Sequence, residues 1–199
     1  PINDLIVQER ENDLVVATSG RSFWILDDLS PIQQAAMAAR GAAADEAFLY
    51  APRHAYRLAG GPGFGGGGEG QNPPSGAVLD FVLPELEDGQ EVVIEIRTEN
   101  GDLVRTLSTQ PDEELSPSAR PLEVTPGHNR ITWNLRHESI PNIPGAYVFG
   151  SLAGRPVVPG TYDVRLTVGD WTMGQPLEVR MDPRTDATMA DYLEQDAFV

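Results

Sequence analysis

The chain has 199 residues, 40% of them apolar, with 20 glycines and 17 prolines. That length allows a sizeable core, with roughly 70% of the unfolded surface buried, and the Gly/Pro content favours a loop-rich β fold over helical bundles. Thirty acidic against 14 basic residues leave a net charge of −16, which excludes phosphate-backbone and anionic-membrane binding, since both need clustered basic surface, while the absence of cysteine excludes disulfides, thiolate metal sites and a cysteine nucleophile.

No apolar run approaches the roughly 20 residues of a membrane helix. The opening "PINDLIVQER" has neither the basic start nor the apolar stretch of a signal peptide. Without an initiator Met, the sequence reads as a piece of a longer chain.

Three strands are predicted first: "DLIVQE", "DLVVAT" and "SFWILDD". Glu11-Asn12 and Ser19-Gly20-Arg21 supply the turn chemistry of a meander. Phe23, Trp24, Ile25 and Leu26 are consecutive apolar residues, a pattern that suits a strand covered on both faces. Three strands cannot cover both of their own faces, so the cover is expected from outside this chain.

"LSPIQQAAMAARG" then reads as a helix, with Ser30 as N-cap, Pro31 at its first position, Gln33 completing a capping box and Gly41 as the stop. Residues 42–59 are expected to form an irregular connector with one short strand. Residues 60–74 are a low-complexity Gly-rich loop.

From residue 76 the pattern is regular. Asn100-Gly101 between apolar runs signals a hairpin. In "HNRITWNLR", Ile131, Trp133 and Leu135 alternate with Arg130, Thr132, Asn134 and Arg136. In "TYDVRLTV", Tyr162, Val164, Leu166 and Val168 face inward by the same period. Val168-Gly169-Asp170-Trp171 closes another hairpin. Strands with one dry and one wet face, joined by hairpins, make an antiparallel β-sandwich. Thr188, with Asp191 three residues on, starts a final helix.

Chemistry-bearing motifs are sparse. The string Gly61-Pro62-Gly63-Phe64-Gly65-Gly66 matches G-x-G-x-x-G but is broken by proline and followed by no helix, so it does not indicate a dinucleotide site. His54, His128 and His137 have no metal-ligand spacing. Asp27-Asp28 is the most prominent carboxylate pair; as strand neighbours they would point to opposite faces and could not flank one glycosidic bond. No catalytic, metal or cofactor-binding residue is assigned. Exposed aromatic rings could stack on sugars, and Trp171, Tyr147 and Phe149 are the candidates, each with core packing as the competing role.

One resemblance spans nearly the whole chain. "DLVVATSGRSFWILDD" followed by "LSPIQQ" resembles the last blade of bacterial BNR-repeat or sortilin-type propeller glycosyl hydrolases, whose blades end in a Thr-His-Gly-Arg-Gly-x-Trp-type strand and a short helix. Thr18, Gly20, Arg21, Trp24, Leu26 and Asp27 fit, while Ser19 stands where His is usual. The phrases "APRHAYR", "NPPSGAVLDFVL", "NGDLVRTL", "GHNRITWNLR", "VVPGTYDVRLTVGD" and "PLEVRMDPR" resemble the C-terminal region of the same proteins. The Gly-x-x-x-x-x-Trp and Pro-Gly-Thr-Tyr elements resemble the immunoglobulin-like domain of flagellar hook-capping proteins.

The expected fold is therefore mostly β. Residues 1–29 are the last propeller-blade strands, 30–75 a linker helix, connector and Gly-rich loop, 76–183 an immunoglobulin-like antiparallel sandwich, and 184–199 the start of a truncated C-terminal helix. The resemblance implies a secreted or periplasmic, non-catalytic accessory module. Its partner is the upstream propeller of the same polypeptide, and carbohydrate is a second candidate partner. Two rival expectations are glycoside hydrolysis, in the parent protein or in this chain, and a protein–protein assembly module.

Overall fold

The computed structural model describes residues 1–38, 46–58, 74–111, 120–139 and 153–198. The protein is mostly β, as the sequence predicts, with antiparallel sheets of sandwich type.

Strands β1 (Ile2–Gln8), β2 (Asp13–Thr18) and β3 (Phe23–Leu26) form an antiparallel meander of order β1-β2-β3. Asn12 and Ser22 take left-handed conformations, φ 57° and 56°, and in the second turn both the amide and the hydroxyl of Thr18 donate to the Ser22 carbonyl, at 3.2 and 2.9 Å. The register places Leu5, Val16 and Trp24 in one cross-strand row and Val7, Leu14 and Leu26 in another. Side chains opposite one another share a face, so these six residues form a wholly apolar face. Ile6, Val15, Ile25, Ala17 and Phe23 fall on the other. Asp4, Gln8 and Asp13 share this second face toward the strand ends, so the consecutive apolar run has made one face apolar throughout and the other apolar at its centre. Among the described residues both sides are open: Phe23 is 72% exposed, Ile6 66% and Trp24 61%.

Helix α1 (Ser30–Ala38) starts one residue earlier than predicted. The Gln33 amide donates to the Leu29 carbonyl at 3.0 Å, which makes Leu29 the N-cap and puts Ser30 inside the helix. The predicted Ser30–Gln33 capping box is replaced by longer-range partners. Asp28 Oδ1 accepts the Ser30 amide at 3.0 Å, while Asn12 Nδ2 donates to Ser30 Oγ at 3.0 Å and to Gln33 Oε1 at 3.1 Å. The side chains meant for a local cap instead tie the helix to the β1–β2 turn. The predicted stop at Gly41 and the Gly-rich loop, except Pro74, lie outside the described residues.

The stretch predicted as an irregular connector supplies two strands, not one, and each joins a different sheet. β4 (Phe48–Leu49) pairs antiparallel with β6 (Ala77–Leu83), and β5 (Ala55–Arg57) pairs parallel with β11 (Trp171–Met181). With β7 (Val92–Thr98), β8 (Leu103–Ser108), β9 (Gly127–Trp133) and β10 (Gly160–Val168), they build a five-stranded sheet β5-β11-β10-β7-β8 and a three-stranded sheet β4-β6-β9. The Asn100-Gly101 hairpin forms as predicted, with Gly101 at φ 92° supplying the left-handed residue.

The inward rows carry the core. Leu79 and Phe81 of the smaller sheet and Ile94, Ile96, Val164, Leu166 and Leu177 of the larger are fully buried. The predicted alternation holds at Trp133, Leu135, Tyr162 and Val168, all buried, and at half-buried Ile131, while Arg130, Thr132, Asn134 and Arg165 are exposed. Because strand side chains repeat every two residues, a one-residue slip would expose each of these rows, so burial pins the register. Trp133 packs edge-on against Tyr162 with ring centroids 5.7 Å apart, and its indole donates to the Arg136 carbonyl at 2.9 Å. Gly76, at φ 134°, must be glycine: a Cβ there would lie 2.2 Å from the Trp133 carbonyl oxygen.

Helix α2 (Met189–Phe198) opens on the predicted cap. Asp191 Oδ2 accepts the Thr188 amide at 2.7 Å, and Thr188 Oγ1 accepts the Asp191 amide at 3.4 Å, a reciprocal box.

Candidate functional site

The β1–β3 sheet is joined to the sandwich by a compact polar seam. The β1–β2 turn meets residues 53–56, just before and within β5. Arg53 Nη1 donates to the Glu11 carbonyl at 2.9 Å and to Asp13 Oδ1 at 3.1 Å. The same Asp13 oxygen accepts the Asp28 amide at 2.8 Å, so one carboxylate holds both the cation and the chain leaving β3. The Tyr56 hydroxyl lies 3.4 Å from Arg10 Nη2 and 3.4 Å from Glu11 Oε1. These groups are partly shielded from water, the Arg53 side chain being 24% exposed and that of Asp13 21%. A charge-assisted bond there is worth about 1.5–3 kcal/mol, more than a freely exposed pair. Arg53→Ala is therefore expected to speed hydrogen exchange of β1–β3 amides about tenfold or more while leaving β10 unchanged. Equal acceleration in both regions would mean that Arg53 supports the whole fold and not the seam.

His54 sits in the same seam. Its Nε2 is buried 3.4 Å from Glu11 Oε2, without hydrogen-bond geometry. Burial pushes its pKa down, Arg180 adds to this, and Glu11 opposes it. His137 is likewise pushed down, by burial and then by Arg155. Across the window from the unfolded value near 6.5 down to the lowered folded values, the unfolded chain binds more protons than the folded one. Stability from these two groups is fully present above about pH 6.5 and is lost as pH falls through that window. Urea midpoints are expected to drop between about pH 7 and pH 5, and His54→Gln to flatten the drop. A profile unchanged by that substitution would remove His54 from the account.

Asp27 and Asp28 do not diverge as the strand rule predicts. β3 ends at Leu26, and Asp28 adopts φ 56°, which breaks the alternation. Both carboxylates line one cleft with Arg53, His54, Gly76, Val78 and Arg130. The cleft holds about 70 Å³, below the roughly 300 Å³ of a small-molecule site, and a sugar ring does not fit between the acids as glycosidase chemistry requires. Opposing charges make it a filled seam: Arg130 Nε donates to the buried Asp80 Oδ1 at 2.8 Å, and His128 Nε2 stands 2.8 Å from the same atom. His128 is the second residue of β9. Among the described residues, no three His, Cys, Asp or Glu side chains converge as a metal-binding group.

Of the aromatic candidates for glycan contact, Tyr147 and Phe149 lie outside the described residues. Trp171 is the first residue of β11 and pairs with inward-facing Val168, so its half-buried ring packs on the edge of the core. The wet face of the larger sheet carries Glu95, Arg97, Asp163, Arg165, Glu178 and Arg180, with intrastrand pairs Arg97–Glu95 at 2.8 Å and Arg165–Asp163 at 3.1 Å. The outward positions of β7, β10 and β11 include no aromatic ring.

Sequence reasoning missed Arg53 and His54 as site residues. The available signal was "PRHAYR": three basic side chains within a few residues of a strongly acidic chain. Compared with protein-family models, curated proteins and solved structures, the chain matches none.

Proposed function

We propose that this chain is a non-catalytic C-terminal accessory module of a propeller glycosyl hydrolase-like protein, with β1–β3 belonging to the last blade and the sandwich packing on or extending the propeller. The observation that carries this reading is the sheet with one face apolar throughout and the other apolar at its centre. A two-layer sandwich needs one dry face per sheet, whereas a sheet dry on both faces belongs between two further layers, as a propeller blade does between its neighbours. A simple face-to-face dimer would cover only one of the faces.

The seam supports the same reading, because Arg53 bonds Asp13 and the Glu11 carbonyl and so holds the sheet at a defined place on the sandwich instead of leaving it on a tether. The charged wet face favours a packing role over glycan presentation. The finer assignment of the sandwich as immunoglobulin-like is part of the proposal. It is supported by the strand order, in which β11-β10-β7-β8 faces β4-β6-β9, and by Tyr162 near the start of β10, whose hydroxyl donates to the Val158 carbonyl at 2.5 Å, as in a tyrosine corner. A secreted or periplasmic site rests on the family resemblance alone.

Sequencing the coding DNA upstream of Pro1 tests the reading. A frame that continues through repeated Ser-x-Asp-x-Gly-x-x-Trp or Gly-Arg-x-x-Trp blades and a signal peptide is the expected result. A start codon just before Pro1 would end the propeller reading.

A further inference from the structure

Helix α2 rests on a second cluster of arginines, remote in sequence from it and independent of the propeller reading. The Arg57 guanidinium lies 4.7 Å over the Tyr192 ring, and its Nη2 donates to Gln195 Oε1. Arg155 Nη1 donates to the Asp196 carbonyl at 3.1 Å and forms an ion pair with Asp196 Oδ1 at 3.3 Å. Tyr192, Gln195 and Asp196 are spaced i, i+3, i+4 and so share one helix face. Beneath them lies the hydroxyl of buried Tyr162, its pKa pushed up to about 12 by burial and then by Asp196.

Two features set this contact apart from ordinary packing. First, α2 buries no residue: Leu193 is 55% exposed and Phe198 93%. Among the described residues the helix is held by a few polar contacts, which salt screens. It is a unit of low local stability. Second, the fit between α2 and the groove is incomplete: Asp196 Oδ1, although it faces Arg155, is buried without a hydrogen-bond partner among the described residues. Arg57 Nη1 is buried without a hydrogen-bond partner among the described residues, and Gln195 offers this guanidinium a neutral amide where a carboxylate could bind both arms of its fork.

We propose that Arg57, Arg155 and Tyr162 form a recognition groove for an acidic helical segment of a partner protein, one bearing an aromatic residue followed three and four positions later by carboxylates, and that α2 is the displaceable cover of that groove. The cation–π and ion-pair contacts of α2 define the pattern the partner would present. The shortfall at Arg57 is what allows that partner to compete with a tethered helix.

The test uses the full chain and a labelled synthetic peptide of residues 188–198 carrying Gln195→Glu. Hydrogen exchange is expected to show α2 amides at least a hundredfold less protected than those of β10. By fluorescence anisotropy the peptide should bind, and its Kd should rise about tenfold or more with Arg57→Ala, with Arg155→Ala, or on raising NaCl from about 0.05 to about 0.5 M. Gln195→Glu in the chain itself should weaken peptide binding about tenfold, because the cover then holds more tightly. The use of two arginine variants guards against one of them misfolding. Protection of α2 equal to that of β10 would make the helix an integral part of the fold and overturn the proposal. So would peptide binding indifferent to both arginines, or no binding while α2 exchanges freely. Concentration-dependent dimerisation abolished by Arg57→Ala would assign the groove to the α2 of a second copy and overturn a foreign partner.

Discussion

Trp133→Ala is expected to destabilise the sandwich by about 3–5 kcal/mol. The residue is 1% exposed, closes the end of β9 and packs edge-on against Tyr162. Its removal leaves a cavity that the surrounding strands cannot collapse into, because Gly76 already presses on the Trp133 backbone and Tyr162 is fixed by its bond to the Val158 carbonyl. It also leaves the Arg136 carbonyl without its indole donor. Trp133→Phe keeps most of the volume and loses only the hydrogen bond and part of the ring, so about 1–2 kcal/mol is expected. Urea denaturation followed by far-UV circular dichroism measures both. Equal losses for the two variants would mean that the indole bond and not the packing dominates. A loss below about 1 kcal/mol for alanine would contradict the core position of the ring.

Trp24→Asp is expected to behave in the opposite way, leaving the isolated chain nearly as stable and crippling its association. Trp24 is 61% exposed on the wholly apolar face beside Leu5 and Val16. An aromatic side chain buries about 150–250 Å², so covering the exposed part of Trp24 would remove roughly 100–150 Å² from water. At about 25 cal/mol per Å² that is roughly 2.5–4 kcal/mol, the size of an interface hot spot. On the propeller reading proposed above, Kd for a propeller-blade segment supplied in trans should rise by roughly 10²–10³-fold. Binding of a hydrophobic dye to the chain alone should fall, while the urea midpoint of the sandwich stays put. An unchanged Kd would remove this face from the interface. A lowered sandwich midpoint would show that the sheet is part of the sandwich's own core.

The contrast between the two tryptophans is legible in the sequence alone. Trp133 stands in a strict alternation from Arg130 to Arg136, and alternation assigns one face to the core. Trp24 stands in an unbroken apolar run, which assigns a face to neither side. The two hairpins, the Thr188–Asp191 cap and the turns of the first sheet are equally legible. Each depends on residues within a few positions of one another, whose turn and capping chemistry does not need the rest of the fold.

What only the tertiary structure decided is of another kind. β4 and β5, with two and three residues, are too short to show a period, and they are strands only because β6 and β11 offer them edges. Ser30 and Gln33 had a local capping solution and left it for Asn12, a partner 18 and 21 residues away. Asp27 and Asp28 share a cleft because a left-handed residue ends the strand rule where β3 stops. Arg53 and Asp13, 40 residues apart, meet across the seam, and so do Arg57 and α2 across 138. Such pairings leave no periodic trace, since their energy comes from groups that chain folding alone brings together. The local pattern therefore specified which faces are dry, and the long-range contacts specified what stands against them.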